Sequence, residues 1–251
     1  MIQTDACRVR NYFLMLPMCI VFSAISATSN AQTLVLNDTS GPPFTTPDGT
    51  GFFDILVSRA FKMAGLNLKL VRTPPERALL NANAGIDDGE LARIKGINKT
   101  YKNLVRVPEK LIDWNFVALT RNSDIMVSDW NDLQKYDIGF IRGWKILENN
   151  TSRHSKVSIV RSRRELFSML DKNRIDIALY TKWMGLAIVK KNNITGIRVL
   201  EPPLAIREMY IYLHKKNSSH VANIANALKK MKESGEYQKL FDQKIIQQYK
   251  K

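Results

Sequence analysis

Apolar and polar residues between positions 34 and 90 follow two alternating periods. Leu34–Leu36 form a short apolar run that stops at Asn37-Asp38 and enters a Pro/Gly-rich loop. From Phe52 the apolar positions fall at Phe52, Ile55, Leu56, Ala60, Met63 and Ala64, the spacing of a helix. Gly65 suits the left-handed residue that closes such a helix. Leu68–Val71 then reads as a strand, and Pro74-Pro75 opens a helix from Glu76 to about Ala84. Gly85 ends that helix, and Ile86 is expected to begin a short strand leading into Asp87-Asp88-Gly89-Glu90. This is βαβ order. Ligands of open α/β sheets bind at the carboxyl ends of strands, which makes the loop carrying Asp38 and Phe44 a candidate site.

The same order returns downstream. Asn115–Thr120 reads as a strand, Trp130–Leu133 as a turn, and Tyr136–Ile141 as a strand that ends at Arg142-Gly143-Trp144. Val157–Val160 predicts a strand, Arg163–Asp171 a helix, Ile175–Tyr180 a strand, Thr181–Lys190 a helix and Ile197–Leu200 a strand. Met209–His214 follows as a strand, and an amphipathic helical region with Val221, Ile224, Leu228, Met231, Leu240 and Ile245 closes the chain. Two successive α/β units with a helical tail predict two lobes, joined by a strand-like crossover near Thr120–Asp124.

The segment ahead of these elements changes the expected compartment. Arg8 and Arg10 precede an apolar run from Tyr12 to Ile25, and Ser29-Asn30-Ala31 follows. A charged start, a short apolar core and small residues before a cut make a secretory signal peptide, with cleavage expected after Ala31. Both cysteines, Cys7 and Cys19, would leave with it, so no disulfide or thiolate chemistry is expected in residues 32–251. The chain carries a net charge of +15, most of it after residue 120. Such a surplus suits an anionic ligand or surface, or simply solvated lysines, and export argues against nucleic acid.

Candidate chemistry is sparse. The histidines are His154, His214 and His220, two of them in polar loop-like stretches; no nucleophile–base arrangement stands out, and no glycine-rich phosphate loop occurs. Asp87, Asp88 and Glu90 have no histidine or further carboxylate at metal-ligand spacing, so neither metal nor cofactor is expected. Phe44, Trp114, Trp144 and Tyr180 are aromatics at strand ends or in loops, where either a cleft wall or a core would use them. The amides of Arg142, Gly143 and Trp144 are placed to receive an anion if they start a helix. Arg77, beside Glu76, is a partner for Glu90 or for a ligand carboxylate, or is simply exposed.

Five segments in this order resemble the bacterial extracellular solute-binding protein family 3, the periplasmic receptors of polar amino-acid ABC importers. They are the Pro-Pro-Phe loop with DGTGFFDILVSRAFKMAGL, then NANAGIDDGE, YDIGFIRGW, NRIDIALY and MKESGEYQKLFDQK. The resemblance implies a type II two-lobed α/β clamp with two hinge crossovers. By analogy lobe one is 32–119 plus 205–251, and lobe two is 120–204. It further implies a periplasmic, monomeric, non-enzymatic protein that binds a small polar, carboxylate-bearing ligand and serves an inner-membrane ABC permease. A dehydratase-like enzyme on the same fold and a ligand-sensing module for a membrane partner are the alternatives. The family's carboxylate-gripping arginine maps best onto Arg93, although its threonine-rich step is missing. Asp38 matches a polar position that touches ligand in some members. Thr181 stands where the family places an ammonium-binding aspartate, and Pro74 where it places a stacking aromatic.

Overall fold

The computed structural model describes Met1 and residues 31–249; the expected signal peptide falls in residues 2–30, outside the described part. Strand β1 (Thr33–Asn37) leads through the Pro/Gly loop into helix α1 (Phe52–Met63), followed by β2 (Asn67–Val71), α2 (Pro75–Ala84) and β3 (Gly89–Ile94). Strands β4 (Leu104–Arg106) and β5 (Ile112–Thr120) come next, then β6 (Ile138–Ile141), α3 (Lys145–Asn150), β7 (Val157–Val160) and α4 (Arg163–Asp171). After β8 (Ile177–Thr181) come α5 (Lys182–Lys191), β9 (Arg198–Val199), β10 (Ala205–His214), α6 (Val221–Glu233) and α7 (Glu236–Phe241).

Local chemistry explains these boundaries. The Asp54 carboxylate caps the start of α1, accepting from the Gly51 N–H at 2.9 Å and the Thr46 N–H at 2.8 Å. Helix α1 buries Phe52, Phe53, Leu56, Val57, Ala60 and Phe61 on one face, against β2 and α6. Each of these except Ala60 contributes roughly 1.5–3 kcal/mol on burial. Ser162 caps α4, its hydroxyl accepting from the Glu165 N–H at 3.2 Å. Gly85 closes α2 at φ +76° and Gly65 follows α1 at φ +77°.

The strands pair in the order β2-β1-β3-β10-β5-β8-β6-β7, with β4 added to β10 and β9 to β5. Parallel pairs flank each end, β1 with β2 and β3 on one side, and β6 with β7 and β8 on the other. Between them run two long antiparallel strands. The first half of β5 pairs with β10, Ile112 opposite Met209 through Phe116 opposite Ala205, and its second half pairs with β8, Phe116 opposite Thr181 through Thr120 opposite Ile177. Strand β10 continues from β5 onto β3 and β4. Strand β5, which ends at Thr120, is thus one crossover strand between the two parallel sets, and β10 is the second. Strand β10 begins at Ala205 rather than Met209, because its first residues pair with β5 while carrying the exposed Ile206 and Arg207.

One difference bears on the site. Strand β3 starts at Gly89, not Ile86, and Asp87-Asp88 form the turn before it. The Asp88 side chain accepts from the Val35 N–H at 2.9 Å and from Asn217 at 2.9 Å, and pairs with Lys216 at 3.0 Å. Burial opposes its charge, yet these partners outweigh burial and hold the carboxyl below its usual range.

Gly89 is required where it stands. A Cβ there would lie 2.1 Å from the Tyr212 carbonyl oxygen and 3.0 Å from Leu213 Cα, both backbone of β10. Gly89→Ala is expected to cost about 3 kcal/mol and lower Tm by roughly 6–12 °C in a thermal melt. A melt within 2 °C of the parent would contradict this packing.

Candidate functional site

Five buried side-chain atoms have no hydrogen-bond partner among the described residues: Asn37 Oδ1, Ser40 Oγ, Glu90 Oε1, Trp114 Nε1 and Thr181 Oγ1. Buried polar atoms are nearly always paired, because an unpaired one costs on the order of 1–3 kcal/mol. These five sit at the carboxyl ends of β1 and β8, in the loop after β1, and on β3 and β5. They form two groups joined by the loop 38–45.

The first group lies on lobe-one strands. Asn37 and Glu90 are directly opposite each other on β1 and β3, and Glu90 is opposite Tyr212 of β10 on its other side. The Asn37 amide donates to Asp87 Oδ2 at 2.6 Å, which turns its Oδ1 away as a free acceptor. Glu90 is 1 % exposed and uses Oε2 to pair with Arg93 Nε at 2.7 Å, leaving Oε1 free. Arg93 also donates from Nη2 to the Pro75 carbonyl at 3.1 Å. Burial pushes the Glu90 carboxyl up to about 7; Arg93 opposes the rise, and the charges of Asp87 and Asp38 add to it.

Asp38 is equally buried, but its oxygens are spent. Its Oδ1 accepts from the Ser40 N–H at 2.9 Å and its Oδ2 from the Thr45 hydroxyl at 2.5 Å, with Arg72 Nε 3.9 Å away. Asp38 therefore holds the loop in shape. That loop carries Phe44 into the core, where it is 1 % exposed and stacks on Phe53 at 4.8 Å. Phe44 thus packs the interior and is no cleft wall, though its ring comes within 6.5 Å of Trp114.

The second group spans β5 and lobe two. Trp114 packs against two apolar clusters at once and keeps Nε1 unpartnered. Two residues on, Phe116 is opposite Thr181, whose hydroxyl is free at the start of α5. Trp144 stacks on Tyr180 at 4.7 Å and meets Phe116 edge-on at 5.7 Å. Burial holds the Tyr180 phenol above its usual range, against a smaller opposing pull from Arg163, so it stays neutral. The Arg163 guanidinium also lies over Gly41 of the loop, 3.1 Å from where a Cβ would stand.

Three expected contributors stand apart. Arg77 is exposed on α2, and Glu90 takes Arg93 as its partner instead. The Arg142 N–H donates to the Val160 carbonyl at 2.9 Å, and the Gly143 N–H to Glu148 Oε1 at 2.7 Å. Two of the three amides expected to receive an anion are thus committed, and α3 behind them is six residues long. Asn37, Ser40, Glu90 and Arg163 are further polar residues of the candidate site, beyond those expected from the sequence. A polar residue closing an apolar strand, as Asn37 closes Leu34–Leu36, was the available signal. Among the described residues no cluster of His, Cys, Asp and Glu has metal-binding geometry, and no helix is long and apolar enough to cross a membrane.

No known family's sequence model matches the chain. Over 194 residues it is 25 % identical to an uncharacterised protein of Shewanella oneidensis, covering 74 % of this chain and 73 % of that one. Among solved structures, a histidine kinase sensor domain similar to periplasmic binding proteins superposes with a TM-score of 0.70, at 14 % identity, covering 85 % of this chain and 96 % of that one. An ancestral arginine-binding protein bound to arginine gives 0.69 at 20 % identity, with 84 % and 97 % covered. The GluR0 ligand-binding core of Nostoc punctiforme in complex with L-glutamate gives 0.69 at 19 % identity, with 84 % and 98 % covered. The fold is therefore the two-lobed type II clamp of periplasmic binding proteins, as the resemblance implied.

The buried Glu90 makes a pH prediction. Its folded-state value near 7 lies above the ordinary 4.5, so the stability tied to its protonated form is complete below about pH 4.5 and is lost as pH rises through 7. The expected loss is on the order of 3 kcal/mol. Between pH 5 and pH 8 the parent should lose roughly 5–10 °C of Tm relative to Glu90→Gln. Parallel Tm profiles for the two proteins would contradict the buried, shifted carboxyl.

Proposed function

We propose that the chain is a periplasmic receptor that captures a small polar ligand between two lobes, 32–119 plus 205–251 and 120–204. The observation that carries this reading is the placement of the unpartnered buried polar atoms. They gather on strand ends and on crossover strand β5, whereas a structural core scatters few such atoms anywhere. A ligand that satisfies them favours the closed arrangement of the lobes and shifts the open–closed population toward it.

The ligand is a small compound of amino-acid size, bearing a carboxylate. Arg93 keeps its Nη1 donors for that carboxylate, and the Trp114 N–H and the Thr181 hydroxyl are further contacts. The protein delivers its ligand to an inner-membrane ABC importer as a monomer. It binds the ligand without turning it over, a reading supported by the likeness in fold to binding proteins. Export through the leader at residues 1–31 supplies the compartment. A second reading, a sensing domain for a membrane partner, is favoured by the likeness in fold to a histidine kinase sensor domain.

Mass spectrometry of small molecules released from the purified, exported protein tests the receptor reading. One compound is expected in near-stoichiometric amount and chemically unchanged after incubation. Adding it back at 100 times Kd should stabilise the protein by about 2.7 kcal/mol, or roughly 5–10 °C in Tm. A converted compound would establish an enzyme instead. Absence of any co-purifying or stabilising compound would overturn the receptor reading.

A further inference from the structure

We propose that the lobe-one half of the site is a cation subsite, in which Glu90 Oε1 and Asn37 Oδ1 together receive a protonated amino or guanidino group of the ligand. This rests on the reading of the chain as a ligand-binding clamp. It assigns the ligand's positive end to lobe one and makes that end the principal anchor.

The donor and acceptor inventory sets the sign. With Glu90 ionised, both unpartnered atoms of the Asn37–Glu90 pair accept hydrogen bonds and neither donates. Reversing the Asn37 amide would set its oxygen 2.6 Å from the Asp87 carboxylate, so the geometry holds Oδ1 free. The two residues are direct neighbours on adjacent parallel strands, roughly 4.8 Å apart. One ammonium or guanidinium group spans such a pair and brings the donors that both lack.

Charge points the same way. Glu90 faces Arg93 on its own strand, Asp87 before it, Asp38 across on the β1 side and Tyr212 on β10. The Tyr212 hydroxyl is occupied by the Gly96 N–H and the Ile94 carbonyl, each at 3.0 Å. Helix α2, which packs over β3, has Glu76 and Arg77 exposed at its start. Glu90 neutralises Arg93, and Arg72 reaches Asp38 only at 3.9 Å, which leaves Asp87 without an ion-pair partner among the described residues. A carboxylate placed on the ionised Glu90 Oε1 would add an anion to this set and find no donor there. A cation supplies both missing terms.

Thr181 agrees with this assignment. Its hydroxyl cannot neutralise an ammonium group, so lobe two carries no counter-charge at the end of β8, and lobe one carries it on Glu90. Because the bound cation requires the ionised carboxylate, binding should release a proton and tighten as pH rises through the Glu90 transition.

Isothermal titration of the full exported protein tests the subsite. The probes are cadaverine and agmatine as cations without a carboxylate, glutarate as a carboxylate without a cation, and L-arginine as both. The cations and L-arginine should bind at pH 8 and glutarate should not. Their affinity should fall about tenfold from pH 8 to pH 6 in the parent. In Glu90→Gln it should be at least tenfold weaker at pH 8 and flat with pH. The parent's own pH profile keeps the test valid if the variant fails to fold. Glutarate binding in preference to the cations, or a pH-independent cation affinity in the parent, would overturn the subsite. If no probe binds but a co-purified compound stabilises the protein, the cation subsite fails and the receptor reading stands. If neither occurs, both fail.

Discussion

The antiparallel ladder between β5 and β10 is where two otherwise separate parallel sheets are fastened together. Ile112–Phe116 lies against Ala205–Met209, and each strand then runs on into a different lobe, β5 to β8 and β10 to β3. Hydrogen bonds run across this junction, and beside it Trp183 of α5 meets Phe241 of the C-terminal helical tail edge-on. Few dihedrals need to change for the lobes to move about such a junction, and motion there opens or closes the space between strand ends.

The polar groups follow from the same constraint. Away from the junction the interior is apolar and closely packed: Leu34, Leu36, Phe52, Phe53, Ile177 and Leu179 are fully buried. On the strands around it the pattern breaks: Asn37, Glu90 and Thr181 are buried and Trp114 half-buried, each with one buried atom left unpaired. Asp38 and Asp88 show what a purely structural acid does in the same region, since each is fully engaged by backbone and side-chain donors. Glu90 is engaged on one oxygen only, and its burial sets its ionisation near neutrality. A ligand-binding surface carries unsatisfied groups in its free state, and fold stability bears that cost elsewhere.

Elements with a local signal were legible in the sequence. Helix α4 was read with both ends correct, because Ser162 caps it and Leu166, Phe167 and Leu170 mark its buried face. The clamp itself was legible from the order of five short segments. The start of β3 was misplaced because Asp87 and Asp88 bond to Asn37, Val35 and Asn217, contacts made across large sequence separations. The same limit hid the site's polar centre. Asn37 and Glu90 are more than fifty residues apart, and only strand register brings them side by side. Phe44 was read as a candidate cleft residue from its place after a strand, but the short Asp38–Thr45 hydrogen bond turns its loop inward.

The chain has four tryptophans, and their indole N–H signals report separately in a nitrogen–proton correlation spectrum. Trp114 stands at the junction with a free buried N–H, whereas Trp130 lies against the lobe-two core and Trp183 beside Phe241. Titration with the co-purified ligand is the most direct measure of where it binds. The account predicts a large shift of the Trp114 indole signal, saturating with occupancy, while the Trp130 signal stays in place. Saturable binding with the Trp114 signal unmoved would place the ligand elsewhere and contradict the account.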